Sequence, residues 1–354
     1  MEHLWKQNLR QIEPYVPGEQ SSDPDRIKLN ANENPYPPAP GVEAVLRSYD
    51  PAALCLYPDA NARLLKASIA RHYGVAPEQV FVGNGSDDVL ALAFQSFFNS
   101  DKPIAFPDIT YSFYPVWCRL FHIPFVTYPL TADFRIDPAD YTAPNGGVVL
   151  PNPNAPTSIG EDLPFVQALL EGNRDAVVII DEAYADFGGV SAVPLLADYP
   201  NLLVCGTFSK SRSLAGLRLG FAIGSAELIG VLEAVKNSYN SYTVDNLSLL
   251  CGAAAMDDEA YFAKTTAAVI TTRERVRRAL EQMGFSVLPS RTNFLFATKD
   301  GASMRDLFLY LKQRHIYIRY FNLPRIDNYV RITIGTDAQM DAFLQGTEAF
   351  LRGE

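Results

Sequence analysis

The residues best suited to covalent chemistry lie in one stretch, Thr207-Phe208-Ser209-Lys210-Ser211-Arg212-Ser213-Leu214-Ala215-Gly216-Leu217-Arg218-Leu219-Gly220. A lysine among small hydroxyl residues can form a Schiff base with a carbonyl. Hydroxyls, glycines and an arginine nearby can hold a phosphate. Arg218 follows Lys210 by eight positions and precedes Leu219-Gly220. A surface loop with ordinary basic residues would explain a lone Ser-Lys pair. The whole pattern argues against that account, because a motif counts only in matching context. The apolar run Leu202-Leu203-Val204-Cys205 just before it reads as a buried strand.

The segment resembles the lysine segment of pyridoxal-phosphate (PLP) aminotransferases with the aspartate aminotransferase fold, and Leu214 to Gly220 is most similar to the histidinol-phosphate aminotransferase branch. Lys28-Leu29-Asn30-Ala31-Asn32-Glu33-Asn34-Pro35-Tyr36 resembles the opening of that branch, with Pro14-Tyr15 ahead of it. The resemblance therefore runs from about residue 10 to the C-terminus. It implies that Lys210 holds PLP and that Asp181, in Val178-Ile179-Ile180-Asp181-Glu182-Ala183-Tyr184, keeps the pyridine nitrogen protonated. A strand-end aspartate capping a helix is the plainer alternative for Asp181. Tyr184 would donate to the phenolic oxygen. Gly85, Ser86 and Asp87 at a helix start, with Thr207, Ser209 and Arg218, would surround the phosphate. Tyr111 would stack on the cofactor ring, or simply pack in the core. Tyr57 would reach the phosphate of a partner subunit, which implies a homodimer with shared active sites.

The resembled enzymes carry Asn immediately before Pro-Thr-Gly as a second donor to the phenolic oxygen. Here the segment reads Asn152-Pro153-Asn154-Ala155-Pro156-Thr157-Ser158, so Ala155 and Ser158 stand where Asn and Gly are usual. Either Asn154 turns inward as a substitute or Tyr184 acts alone. The resemblance assigns substrate binding to Arg331 and Arg319, with Tyr15 and Asn34 from the arm. Alternation in Val330-Arg331-Ile332-Thr333-Ile334 puts Arg331 on the face opposite Val330 and Ile332, where its guanidinium can clamp a carboxylate or phosphate.

Short apolar runs alternate with helical patterns from Asn61 to Ile223. They predict an α/β fold, a mostly parallel sheet with helices on both faces, whose ligands sit at the carboxyl ends of strands. Asn152, Asp181 and Lys210 each lie just past such a run, which points to one shared site. A smaller α+β C-terminal domain follows, led by a long amphipathic helix over about 259–283. The prolines before residue 41 rule out a long helix there, and Ile12, Tyr15, Val16 and Tyr36 favour an arm that docks over a free tail. The expected division is arm 1–45, large PLP-binding domain 46–240, and bridging helix with small domain 241–354.

The chain has 354 residues, 48% of them hydrophobic, and a net charge of −10, which argues against nucleic-acid binding but not against a small anionic substrate. No run of about 18 apolar residues predicts a membrane span, and Met1 to Lys6 lacks the apolar core of a signal peptide. Cys55, Cys118, Cys205 and Cys251 are scattered and read as buried thiols of a reducing compartment, so a cytoplasmic protein without a metal site is expected. The resemblance implies a small amino donor and a 2-oxo acid acceptor: L-histidinol phosphate with 2-oxoglutarate giving imidazole acetol phosphate with L-glutamate. Threonine-phosphate decarboxylase, aromatic amino-acid aminotransferase and a non-catalytic PLP-binding protein remain rivals.

Overall fold

The computed structural model describes residues 3–15, 19 and 22–354. Val16 and Pro17, read above as parts of the arm, lie outside the described residues, as do Met1 and Glu2. The short strand β1 (Ile27–Lys28) comes first. Next come β2 (Val80–Gly83), β3 (Ile104–Pro107), β4 (Phe125–Tyr128), β5 (Gly147–Pro151), β6 (Val178–Asp181), β7 (Leu202–Thr207) and β8 (Gly220–Gly224). Among the described residues these seven form one sheet in the order β2-β8-β7-β6-β5-β3-β4. Pairing is parallel throughout except at β8, which runs antiparallel to both neighbours.

Near-continuous apolar strands bury both faces. Val178 and Ile180 enter one core with Leu65, Ile69 and Leu169, while Ile179 enters the other with Val89, Phe94 and Trp117. Helices Arg63–Tyr73 and Leu163–Glu171 cover the first face; Ser86–Phe97 and Tyr114–Phe121 cover the second. A parallel connection needs a crossover, usually a helix, whereas an antiparallel one does not. The link from β7 to its antiparallel neighbour β8 is therefore a loop, and Lys210 rides on it.

The C-terminal strands are β9 (Ser286–Val287), β10 (Phe294–Thr298), β11 (Ile316–Tyr317), β12 (Arg319–Tyr320) and β13 (Val330–Thr333). Four of them form an antiparallel sheet, β12-β13-β10-β9, and β11 pairs in parallel with β1. β11 and β12 are thus separate strands, divided at Ile318. Ile318 is 2% exposed, and around it the chain passes from pairing with β1 to pairing with β13. Helices begin at Ser86, within the helix start read at Gly85 to Asp87, and at Tyr114. Cys118, Cys205 and Cys251 are buried, but Cys55 is exposed, because the Pro51–Cys55 turn that carries it buries none of its residues. No helix among the described residues is long and apolar enough to cross a membrane.

Candidate active site

Two adjoining cavities of about 310 and 300 Å³ open at the carboxyl ends of the central strands and share Ala31, Glu33, Tyr111, Ala155, Tyr184 and Lys210. Asp181 closes β6, and the Asp181 side chain lines the second cavity. Its Oδ2 accepts the Tyr114 hydroxyl at 3.0 Å and its Oδ1 accepts the Ala183 N–H at 3.1 Å. Burial pushes this carboxyl up to about 6, against the two hydrogen bonds. The Lys210 Nζ donates to the Ala31 carbonyl at 3.2 Å and lies 5.7 Å from the centre of the Tyr184 ring.

An anion cradle forms at the other end of the second cavity. Helix Ser86–Phe97 starts there, and its N-cap, Gly85, offers no side-chain cap. The first N–H groups therefore have no side-chain acceptor at the cap, and an anion suits them. Ser86, Asp87, Thr207, Ser209 and Arg218 line this end. The Asp87 carboxylate accepts both the Tyr111 hydroxyl at 2.7 Å and Arg218 Nη2 at 3.3 Å, so it fixes the ring and the guanidinium together. Gly85 adds no lining; it makes room. Its φ is +89°, and a Cβ there would lie 2.7 Å from Arg218 Nη2.

The first cavity is lined by Tyr15, Arg319 and Arg331. Tyr15 stacks on Phe113 with centroids 4.2 Å apart. Arg319 and Arg331 are direct cross-strand partners in β12 and β13, an arrangement that like charges disfavour. Val330 and Ile332 face the C-terminal core, as the alternation requires. Arg331 Nη2 donates to the Asn30 carbonyl at 2.9 Å, and its buried Nε has no partner. Burial lowers the Arg331 pKa, and Arg319 lowers it further. The nearby acids are engaged elsewhere: Glu33 with Lys28 at 2.6 Å and Glu19 with Lys312 at 2.8 Å.

The family described as aminotransferase class I and II matches residues 24–346. A protein of Chromohalobacter salexigens named histidinol-phosphate aminotransferase is 51% identical over 352 residues, which cover 99% of this chain and all of that one. The chain belongs to the class I and II aminotransferase family. A solved histidinol-phosphate aminotransferase of Sinorhizobium meliloti, in complex with pyridoxal-5'-phosphate, superposes on this aminotransferase with a TM-score of 0.82 at 26% identity, covering 92% of this chain and 90% of that one. An L-threonine-O-3-phosphate decarboxylase of Porphyromonas gingivalis shares the fold, with a TM-score of 0.78 at 22% identity over 92% of this chain and 99% of the other.

The residues present fit PLP. One cavity holds a lysine, a buried strand-end carboxyl, a tyrosine and an anion cradle, the four features that this cofactor requires. Besides Gly85, four of the residues singled out from the sequence line neither cavity. Asn154 is 2% exposed and turned away, its amide N donating to the Ile109 carbonyl and Thr157 Oγ1. It cannot replace the amide missing at Ala155. Asn152 braces a loop through Glu161. Asn34 donates to the Lys210 and Ser211 carbonyls, so it holds the lysine's backbone and does not line the cavities. Tyr57 is 81% exposed and stacks on Tyr242 outside the cavities of its own chain. Sequence reasoning missed Tyr114 and Asn32. A second tyrosine three residues beyond Tyr111, at a helix start, was the available signal for Tyr114. For Asn32 the signal was an amide in the same arm stretch as Asn30 and Asn34.

Proposed function

We propose that this aminotransferase moves an amino group between L-histidinol phosphate with 2-oxoglutarate and imidazole acetol phosphate with L-glutamate. One observation carries the substrate reading: half-buried Arg331 stands opposite Arg319, and neither is paired with a carboxylate among the described residues. Holding two like-charged guanidiniums side by side without a counter-charge, one of them with a buried unpartnered Nε, is costly, and an anionic substrate group relieves that cost. Histidinol phosphate brings a phosphate and glutamate brings carboxylates, so both partners of the exchange suit the same pair.

When bound, PLP supplies the electron sink that acidifies the substrate Cα–H. Asp181 would face the pyridine nitrogen, and Tyr184 would donate to the phenolic oxygen. Ser86, Thr207, Ser209 and Arg218 would hold the phosphate, and Tyr111 would lie against the ring. Lys210 would carry the cofactor; its freed Nζ then takes the proton from the substrate Cα and returns it, as general base and acid. Arg331 and Arg319 orient the anionic groups, with Tyr15 closing the far wall.

The working enzyme is a cytoplasmic homodimer in this reading. Leu54, Leu56, Tyr57 and Tyr239 are 68, 71, 81 and 77% exposed, and a second copy would cover these side chains and take Tyr57 to its own phosphate. The division into arm 1–45, large domain 46–240 and small domain 241–354 belongs to the same proposal.

Stopped-flow measurement of each half-reaction tests the assignment. Arg331→Ala should slow both, and Arg319→Ala should harm histidinol phosphate more than glutamate. Borohydride should fix the cofactor on Lys210. Rapid turnover of phenylalanine with neglect of histidinol phosphate, or release of carbon dioxide from threonine phosphate, would overturn the substrate reading.

A further inference from the structure

Asn32 is 1% exposed and sits at φ 56°, a left-handed conformation that asparagine tolerates better than most residues. Every polar group of this residue is engaged. Its N–H donates to Thr333 Oγ1 at 3.0 Å, and its carbonyl accepts from Asn293 Nδ2 at 2.9 Å. Thr333 is buried, and among the described residues the acceptor for its hydroxyl proton is Asn32 Oδ1 at 3.0 Å, so the proton goes there. That fixes the orientation of the amide. The nitrogen end therefore faces Tyr184, and Nδ2 donates to the tyrosine oxygen at 2.9 Å. Phe294 packs edge-on against the Tyr184 ring at 5.1 Å and holds it in place. A phenol that receives a hydrogen bond must send its own proton elsewhere, and the cavity beside Lys210 is the side left to it.

We propose that Asn32 is a positioning residue that makes Tyr184 a donor into the cofactor cavity, so that Tyr184 serves there without the second amide that Ala155 lacks. The inference rests on the PLP reading above. Asn32 acts through Tyr184, and a hydrogen bond into the phenol strengthens the one that the phenol donates.

The test is the pH titration of the visible absorption of the PLP-loaded protein, in wild type, Asn32→Asp, Tyr184→Phe and the double variant. Asn32→Asp keeps the shape but accepts the tyrosine proton, so the midpoint should rise by about one unit or more, the size expected for one charge-assisted bond. In the Tyr184→Phe background the same change should add nothing. Thr333→Val frees the amide to turn without adding charge and should give a smaller rise. A midpoint unchanged in both Asn32→Asp and Thr333→Val overturns the proposal. So does a shift of equal size with and without the tyrosine hydroxyl, which would mark a through-space charge effect. If wild-type protein binds no PLP on Lys210, the functional reading falls first; if it loads normally, the failure belongs to Asn32 alone.

Discussion

Tyr114→Phe removes one hydroxyl from a fully buried ring and leaves Asp181 without its 3.0 Å donor. Burial alone pushes the Asp181 carboxyl up, and the Tyr114 bond is the largest effect opposing it, with the result standing at about 6. A hydrogen bond to a charged acceptor contributes about 1.5–3 kcal/mol, and each pKa unit corresponds to about 1.4 kcal/mol. Losing it should raise the carboxyl by about one to two units, to roughly 7–8. At pH 7 the ionised fraction then drops from about nine-tenths to between one-half and one-tenth. If the cofactor's pyridinium needs the ionised carboxylate, affinity for PLP at pH 7 should fall about two- to ten-fold. The deficit should grow below pH 7 and vanish near pH 9, where both proteins are ionised.

The assay is titration of the cofactor-free protein with PLP between pH 5.5 and 9, followed by fluorescence quenching. Asp181→Asn supplies the reference, with weak binding at every pH. A deficit of the same size across the whole range would refute the reasoning, since Tyr114 would then act through packing and not through the charge on Asp181. The same carboxyl bears on stability. Its folded pKa lies above the unfolded value of 3.8, so the folded state binds more protons between about pH 4 and 6 and loses stability as pH rises through that window.

Gly85→Ala forces a Cβ to within 2.7 Å of Arg218 Nη2 at a φ of +89°, so the guanidinium must shift from its place in the anion cradle. PLP affinity should fall about tenfold or more, and inorganic phosphate should compete less well than with wild type. Glu182 is buried with its carboxyl pushed up to about 8, against bonds from Ala192 N–H and Ser191. Its folded pKa also exceeds the unfolded value of 4.5, so stability that is present at low pH is lost as pH rises to about 8. Glu182→Gln should flatten the fall in Tm between pH 5 and 9; an unchanged slope would place the cost elsewhere. Mixing inactive Lys210→Ala chains with impaired Tyr57→Phe chains should restore activity if the tyrosine acts across the dimer. Full activity of an isolated monomer in sedimentation would reject that arrangement.

The central strands could be read from the sequence because a strand buried on both faces leaves an apolar run that survives without context. Asp181 and Lys210 followed from it, since each stands at or just past a run, where such sheets bind ligands. The amides failed for a different reason. Asn34, Asn152 and Asn154 are the right residue type near the right elements, but their partners are carbonyls and hydroxyls brought close only by the fold. Asn34 and its acceptor on Lys210 are 176 positions apart, and no local pattern records that contact. The change of partner at Ile318, from the arm on one side to β13 on the other, leaves no mark in the apolar pattern either.

The arm stretch from Asn30 to Asn34 gives the site a single point of attachment. The Asn30 carbonyl receives Arg331, the Ala31 carbonyl receives Lys210 Nζ, the Asn32 amide reaches Tyr184, and the Asn34 amide holds the backbone of Lys210 and Ser211. The stretch is anchored from outside by β1 on β11 and from within by Thr333 and Asn293. Arg331 and Lys210, proposed to bind the substrate and to move its proton, are therefore fixed to the same five residues. A substrate anion can engage the unpartnered Nε of Arg331 while Asn30 keeps Nη2 in place. The guanidinium then need not swing to bind, and the distance between anion site and Lys210 stays set by backbone. Such preorganisation is how orientation lowers a barrier. It also explains why this stretch, remote in sequence from every strand of the large sheet, is so closely packed with amides that bond to it.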